Sequence, residues 1–285
     1  MNVVDAHLHV WDLDRAAYPW LGPHLAPIDR SLGPDDVRDD LRSNAVDAVV
    51  LVQAADNTED SDHMFAVADR WPEVAGVVAW APLNDPERTE RRIAALRAEP
   101  RFVGIRVLIH DMADQDWIVR PGPDAGLGVL AAHGIPFDYV TAEPAALRHV
   151  PTICERHPDL RLVIDHLGKP PVGAALETWR ELLARAASSP GVYAKVSGLY
   201  PPGGDPTAWS AGDLRPILED ALDLFGPDRL MLGSDWPVAV LAGGYARVWG
   251  ALSALVDELS PAERAALRGG TAVACYGLRG GEEIG

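Results

Sequence analysis

Eight short apolar runs recur along this chain, at 3–8, 46–52, 74–81, 102–109, 135–140, 160–166, 192–197 and 229–233. Most are near-continuous rather than alternating, as "VVLV" and "LVI" illustrate. Strands of that kind offer apolar side chains to both faces, so they belong in a parallel sheet covered on both sides. Helical patterns separate most of them. Asp85 and Pro86 supply a cap and a first-turn proline ahead of "ERTERRIAALRAE". The pattern over 58–70 ends before Pro72, and 174–187 and 213–225 carry apolar residues at helical intervals. Ser260, Pro261 and Glu263 spell a capping box. Eight strand-helix units in 285 residues predict an α/β chain folded as a single (β/α)8 TIM barrel. No linker or low-complexity run divides it, so one domain is expected over 1–285, with a solvated tail at 279–285.

Charge narrows the partners. A formal net charge of -17 argues against nucleic acid, whose phosphates need basic side chains. No apolar run is long enough to span a bilayer, and the N-terminus lacks a basic leader. A cytoplasmic protein with neither membrane nor nucleic acid as partner is expected. Cys154 and Cys275 lie far apart and read as two reduced thiols in helices. Nothing in the sequence fixes an oligomeric state.

Three polar interruptions carry the chemistry. The first run reads "VVDAHLHVWD", and residues two apart on a strand share a face, so His7 and His9 converge, with Asp5 one pleat lower on the same side. Two imidazoles on one point suit a divalent metal, or a hydrogen-bonded polar rim. "VIDHLGKPP" brings Asp165, His166 and Lys169 to the end of the sixth run. His166 there either faces a pocket or satisfies a backbone carbonyl. "LMLGSDWP" ends the last run with Asp235, a candidate base or metal ligand, or a turn aspartate. All three lie at strand C-termini, the face where barrels build active sites. The Pro/Gly-rich stretches "YPWLGPHLAP" and "LYPPGGDPTAW" follow the first and seventh runs and form loops on that face.

These motifs resemble the amidohydrolase superfamily, and within it the sugar-lactonase branch of L-fuconolactonase- and L-rhamnonolactonase-like proteins. The likeness runs through "HVWD", "VLVQAA", "FVGIR", "HPDLRLVIDHLGKP", "VYAKVSGL", "FGPDRLMLGSDWPV" and "CYGL". It implies a hydrolase that opens a sugar-acid (aldono) lactone in carbohydrate catabolism, with a small-molecule sugar lactone as its partner. His7, His9, His166 and Asp235 become the metal-ligand set. Asp235 is the implied general base, and His166 the group that polarises the carbonyl. Arg106 is expected to contact substrate, because its donor fork suits the oxygens of a sugar acid. Lys195 and Gln53 are expected contacts of the same kind. Trp11, Tyr18, Trp20 and Trp236 are expected to wall a sugar ring. The fourth run lacks the lysine that bridges two metals in many members, so at most one divalent ion is implied, zinc first, and metal-free hydrolysis stays open. Other chemistries of the same barrel are a dicarboxylate lactonase or a nonoxidative aromatic-acid decarboxylase. A silent barrel that binds a sugar acid is the non-enzymatic alternative.

Overall fold

All eight apolar runs are strands in the computed structural model, which describes residues 2–201, 205 and 208–279. They are β1 (Val4–Leu8), β2 (Ala48–Val52), β3 (Val74–Ala79), β4 (Phe102–Val107), β5 (Phe137–Tyr139), β6 (Leu162–Ile164), β7 (Val192–Val196) and β8 (Leu230–Leu232). Each pairs in parallel with the next, in the order β1 to β8. The circle closes through a parallel bridge between Leu8 and Trp236. Two backbone bonds make that seam, His9 N to Trp236 O at 2.7 Å and Asp235 N to His7 O at 2.8 Å. The bonds that shut the barrel therefore set the histidine pair beside Asp235.

Eight helices follow the strands in turn: α1 (Arg38–Ser43), α2 (Thr58–Ala68), α3 (Pro86–Leu96), α4 (Pro121–His133), α5 (His149–Arg156), α6 (Glu177–Ala187), α7 (Ala211–Phe225) and α8 (Tyr245–Val256). Asp85 caps α3 by accepting from Arg88 N, as its sequence position implies. The periodicity does not single out α4, which contains Gly122, Gly126 and Gly128. A Cβ on Gly126 would lie 2.2 Å from Leu83 O, so glycine here permits α4 to press onto the backbone between β3 and α3. Cys154 lies in α5 and Cys275 in the last helix, both unpaired, as expected. No helix among the described residues is long and apolar enough to cross a membrane. Beyond residue 279 the expected solvated tail lies outside the described residues.

Two apolar shells hold the barrel. The larger fills the space between strands and helices, and includes Leu8, Val49, Leu51, Val77 and Ile105. The smaller fills the lower lumen with Val4, Ala6, Val50, Val52, Val163 and Met231. After the short α9 (Pro261–Ala265), α10 (Thr271–Tyr276) closes it from the N-terminal side, and Ala272, Cys275 and Tyr276 of α10 join it. Ala6 and His7 thus both serve the lumen, while Leu8 faces the helices. The pairing explains this: the four residues Asp5 to Leu8 match the three from Val49 to Leu51, a one-residue bulge in β1. The bulge corrects the expectation for Asp5. It pairs with Val49 of the outer shell, and its carboxylate accepts from Tyr245 OH of α8 and from Ser234 N.

Candidate active site

The lumen above the apolar plug is charged. Arg106 of β4 places Nη1 2.9 Å from Asp165 Oδ2, just past β6. Lys195 of β7 places Nζ 2.5 Å from Asp138 Oδ2 of β5 and 3.2 Å from Asp165 Oδ1. Tyr276 OH donates to Asp138 from below. Two cations and two carboxylates, almost wholly excluded from solvent, thus neutralise one another. Burial pushes Asp138 up to about 6, opposed by Lys195. For Asp165 burial acts the same way, but Lys195, His7 and Arg106 outweigh it and hold the carboxyl well below its ordinary range.

One level higher, at the strand C-termini, three imidazoles meet one carboxylate. Each ring has its Nδ1 engaged. His7 Nδ1 lies 3.3 Å from Asp165 Oδ1, His9 Nδ1 lies 2.6 Å from Val52 O, and His166 Nδ1 lies 2.9 Å from Ser197 Oγ. Each Nε2 turns toward Asp235 Oδ1, at 3.7, 3.5 and 3.9 Å respectively. The Nε2 atoms of His7 and His9 are 3.2 Å apart. Burial lowers the pKa of all three rings, that of His166 to about 3 with Lys169 adding to the effect, so they are neutral near pH 7. Burial alone would raise Asp235. The surrounding His166, His9, His7 and Lys169 reverse it, and the carboxylate stays ionised well below its ordinary range.

That donor set fits a divalent ion. Zinc bonded at about 2.0–2.1 Å by tetrahedral ligands needs its donors roughly 3.3 Å apart. His7 and His9 lie 3.2 Å apart and each ring lies 3.5 to 3.9 Å from Asp235 Oδ1, and ligand atoms of His7, His166 and Asp235 all lie within 4.8 Å of one another. The carbonyl at His9 Nδ1 and the hydroxyl at His166 Nδ1 are of the kind that orient metal-binding imidazoles, while His7 Nδ1 lies between Asp165 Oδ1 and Lys195 Nζ, the latter at 3.2 Å.

The backbone is bent to deliver these groups. His166, Leu167 and Lys169 have φ of 54°, 51° and 59°, and Asp235 has φ 59°. Such left-handed non-glycine residues cost on the order of 1–3 kcal/mol each and persist only where surroundings fix them. Here Trp179 Nε1 donates to Leu167 O at 2.7 Å, and Lys169 N donates to His166 O at 2.9 Å. Gly198, at φ +58°, makes room: a Cβ would lie 2.6 Å from His166 Nδ1 and 2.9 Å from Asp235 Oδ2.

A cavity of about 340 Å³ opens over this centre, lined by His9, His166, Asp235, Arg106, Lys169 and Trp20 among others. Several expected contacts fall elsewhere. Lys195 has no exposed surface and belongs to the ionic layer below. Gln53 is equally buried; its Nε2 donates to Arg106 O and its carbonyl accepts from Arg106 Nη2. Trp11 and Trp236 pack in the outer apolar shell, and Tyr18 donates to Asp60. Of the four aromatic candidates only Trp20 lines the cavity, braced edge-on by Trp11 at 5.4 Å. Arg106 does line it, but both its Nη atoms are committed. The sequence reading missed Tyr200, whose OH donates to Asp235 Oδ2 at 2.5 Å. Its only signal is its place in the loop after β7.

Comparison with known proteins agrees with this geometry. A family model described as Amidohydrolase matches residues 4–278. An L-fucono-1,5-lactonase of Burkholderia multivorans is 36% identical over 286 residues, covering 96% of each chain. An L-fucono-1,5-lactonase of Burkholderia ambifaria is 34% identical over 282 residues, covering 96% of this chain and 94% of the other. The crystal structure of an amidohydrolase from Burkholderia multivorans with bound zinc has a TM-score of 0.87 at 34% identity, covering 98% of this chain and 100% of that one.

Proposed function

The chain belongs to the amidohydrolase family, and from that premise we propose that it opens a sugar-acid lactone by attack of water on the ring ester. One observation carries the reading: three neutral imidazoles turn their Nε2 atoms to one ionised carboxylate at the floor of a cavity of about 340 Å³. Likeness to two L-fucono-1,5-lactonases supports a 1,5-aldonolactone of a deoxysugar as substrate.

His7, His166 and Asp235 would hold one divalent ion, with His9 beside them as a further ligand, zinc by the likeness to the zinc-bound amidohydrolase. When bound, such an ion polarises an ester carbonyl and lowers the pKa of water. The chain's own groups do the rest. Tyr200 OH donates to Asp235 Oδ2 and fixes the orientation of the carboxylate. Asp235 takes the water proton as the O–C bond forms, then returns it to the ring oxygen as the ring C–O bond breaks. Ser197 serves His166 in either tautomer. Accepting from Nδ1–H, it leaves an Nε2 lone pair for an ion; donating to Nδ1, it leaves an Nε2–H for the carbonyl oxygen.

Arg106 is held by the barrel: its Nη1 donates to Asp165 and its Nη2 to the backbone oxygen of Gln53. It supplies a fixed positive field beside the reacting ester. A pH-indicator assay over a panel of aldonolactones tests the reading. Proton release is expected with L-fucono-1,5-lactone, diminished by chelator and restored by zinc. Saturable binding of sugar acids without turnover of any lactone, zinc added or not, would leave only the silent barrel.

A further inference from the structure

The chain has 25 basic side chains, and only two of them are lysines, Lys169 and Lys195. Both belong to the barrel mouth and lumen. Lys195 is consumed by Asp138 and Asp165. Lys169 is different. It lines the active-site cavity, and among the described residues no carboxylate forms an ion pair with it. Its ammonium lies 6.0 Å from the centre of the ring of Tyr200, whose hydroxyl donates to Asp235.

Its backbone is held at a cost. Lys169 has φ 59° and precedes Pro170, a position where the ring of the next residue favours extended backbone. A flexible surface lysine needs no such constraint. An arginine would present a broad fork; a lysine presents a compact point charge on a slim stem. In a chain that uses arginine nearly everywhere else, a lone lysine aimed into the cavity points to an anionic oxygen on the ligand.

Building on the lactonase reading, we propose that Lys169 receives the carboxylate that ring opening creates. The lactone enters uncharged. Water adds to the carbonyl carbon, the ring C–O bond breaks, and the proton carried by Asp235 passes to the ring oxygen. The product is a hydroxy acid whose carboxyl proton is lost to solvent. Its carboxylate then lies in the cavity with the ionised Asp235, and Lys169 is the one lysine or arginine lining that cavity, among the described residues, that forms no ion pair. The site therefore binds neutral lactone and anionic product through different groups.

The test uses the intact protein and L-fuconate as probe, with L-fucitol as the uncharged control. Lys169→Met should weaken inhibition by fuconate by about 10- to 100-fold, the range for a lost hydrogen bond to a charged group. The KM for lactone and the affinity for fucitol should change far less, and Lys169→Arg should restore part of the fuconate binding. Equal weakening of fuconate and fucitol, or none, overturns the proposal. A second readout needs no variant to fold and no turnover. Reductive methylation with 13C-formaldehyde keeps the positive charge and labels Lys169 and the N-terminal amine, while Lys195 has no exposed surface. Fuconate should shift the Lys169 methyl resonance saturably; an unmoved resonance contradicts the proposal. Lactone turnover with an unmoved resonance rejects the role of Lys169 and keeps the lactonase. A shifted resonance without turnover of any lactone does the reverse.

Discussion

Below the cavity, Arg106 and Lys195 lie within 3.2 Å of the carboxylates of Asp165 and Asp138. At its floor, one level up, Asp235 has no cation at that distance and is ringed by three neutral imidazoles and a phenol. In the lower layer opposite charges pair directly. In the upper layer the three Nε2 atoms turn to one carboxylate oxygen at 3.5 to 3.9 Å. Burial is nearly complete in both, so exposure does not separate the structural group from the reactive one. Pairing does.

Breaking the lower layer should give the largest effect. Lys195→Met leaves Asp138 and Asp165 without their shared cation, and the loss should be about 3–5 kcal/mol in urea unfolding. Adding Asp138→Asn should recover part of it.

Asp60 sharpens the contrast from outside both layers. This buried carboxylate has only neutral donors, Tyr18 OH at 2.8 Å and Ala54 N at 2.9 Å, and burial pushes it up to about 6. A carboxyl raised in the folded state stabilises most below its ordinary value near 3.8, and that contribution is lost as pH rises through about 6. Asp60→Asn should remove up to roughly 1.4 kcal/mol per pH unit of this slope between about pH 4 and 6. Parallel stability curves for wild type and variant would contradict the assignment.

Gly198→Ala probes the upper layer. Its Cβ would strike His166 Nδ1, so zinc affinity or turnover should fall about 10- to 100-fold, as for outer-partner changes at metal sites. Unfolding should shift less than for Lys195→Met. The smallest effect belongs to an exposed pair: Arg215→Ala breaks the two-pronged contact with Glu258, and the unfolding midpoint should barely move while turnover stays unchanged.

The architecture was legible because eight apolar runs, buried on both faces, admit few topologies. The convergence of His7, His9, His166 and Asp235 was legible for a related reason: all four interrupt or end such runs, where a polar residue has no packing role. Depth along the lumen was not legible. Arg106 and Lys195 both point inward, as strand alternation implies, but the sequence does not show that Asp165 and Asp138 stand across the barrel to claim them. The phase of β1 was hidden too, since one bulged residue moves Asp5 to the outer face. Loop aromatics illustrate the same limit. Trp11, Trp20 and Trp236 have similar sequence surroundings, yet only Trp20 reaches the cavity. Tyr200 escaped because nothing local marks a loop phenol whose partner is Asp235.

The central claim is that Asp235 handles the proton of the attacking water. The most direct measurement is the rate of L-fucono-1,5-lactone opening by wild type and by Asp235→Asn, with zinc content and thermal unfolding recorded on the same samples. The account predicts turnover by wild type and a fall of about 10²- to 10⁴-fold in the variant. That fall should persist at matched zinc occupancy, with folding retained. A folded Asp235→Asn protein that opens the lactone at the wild-type rate would contradict it.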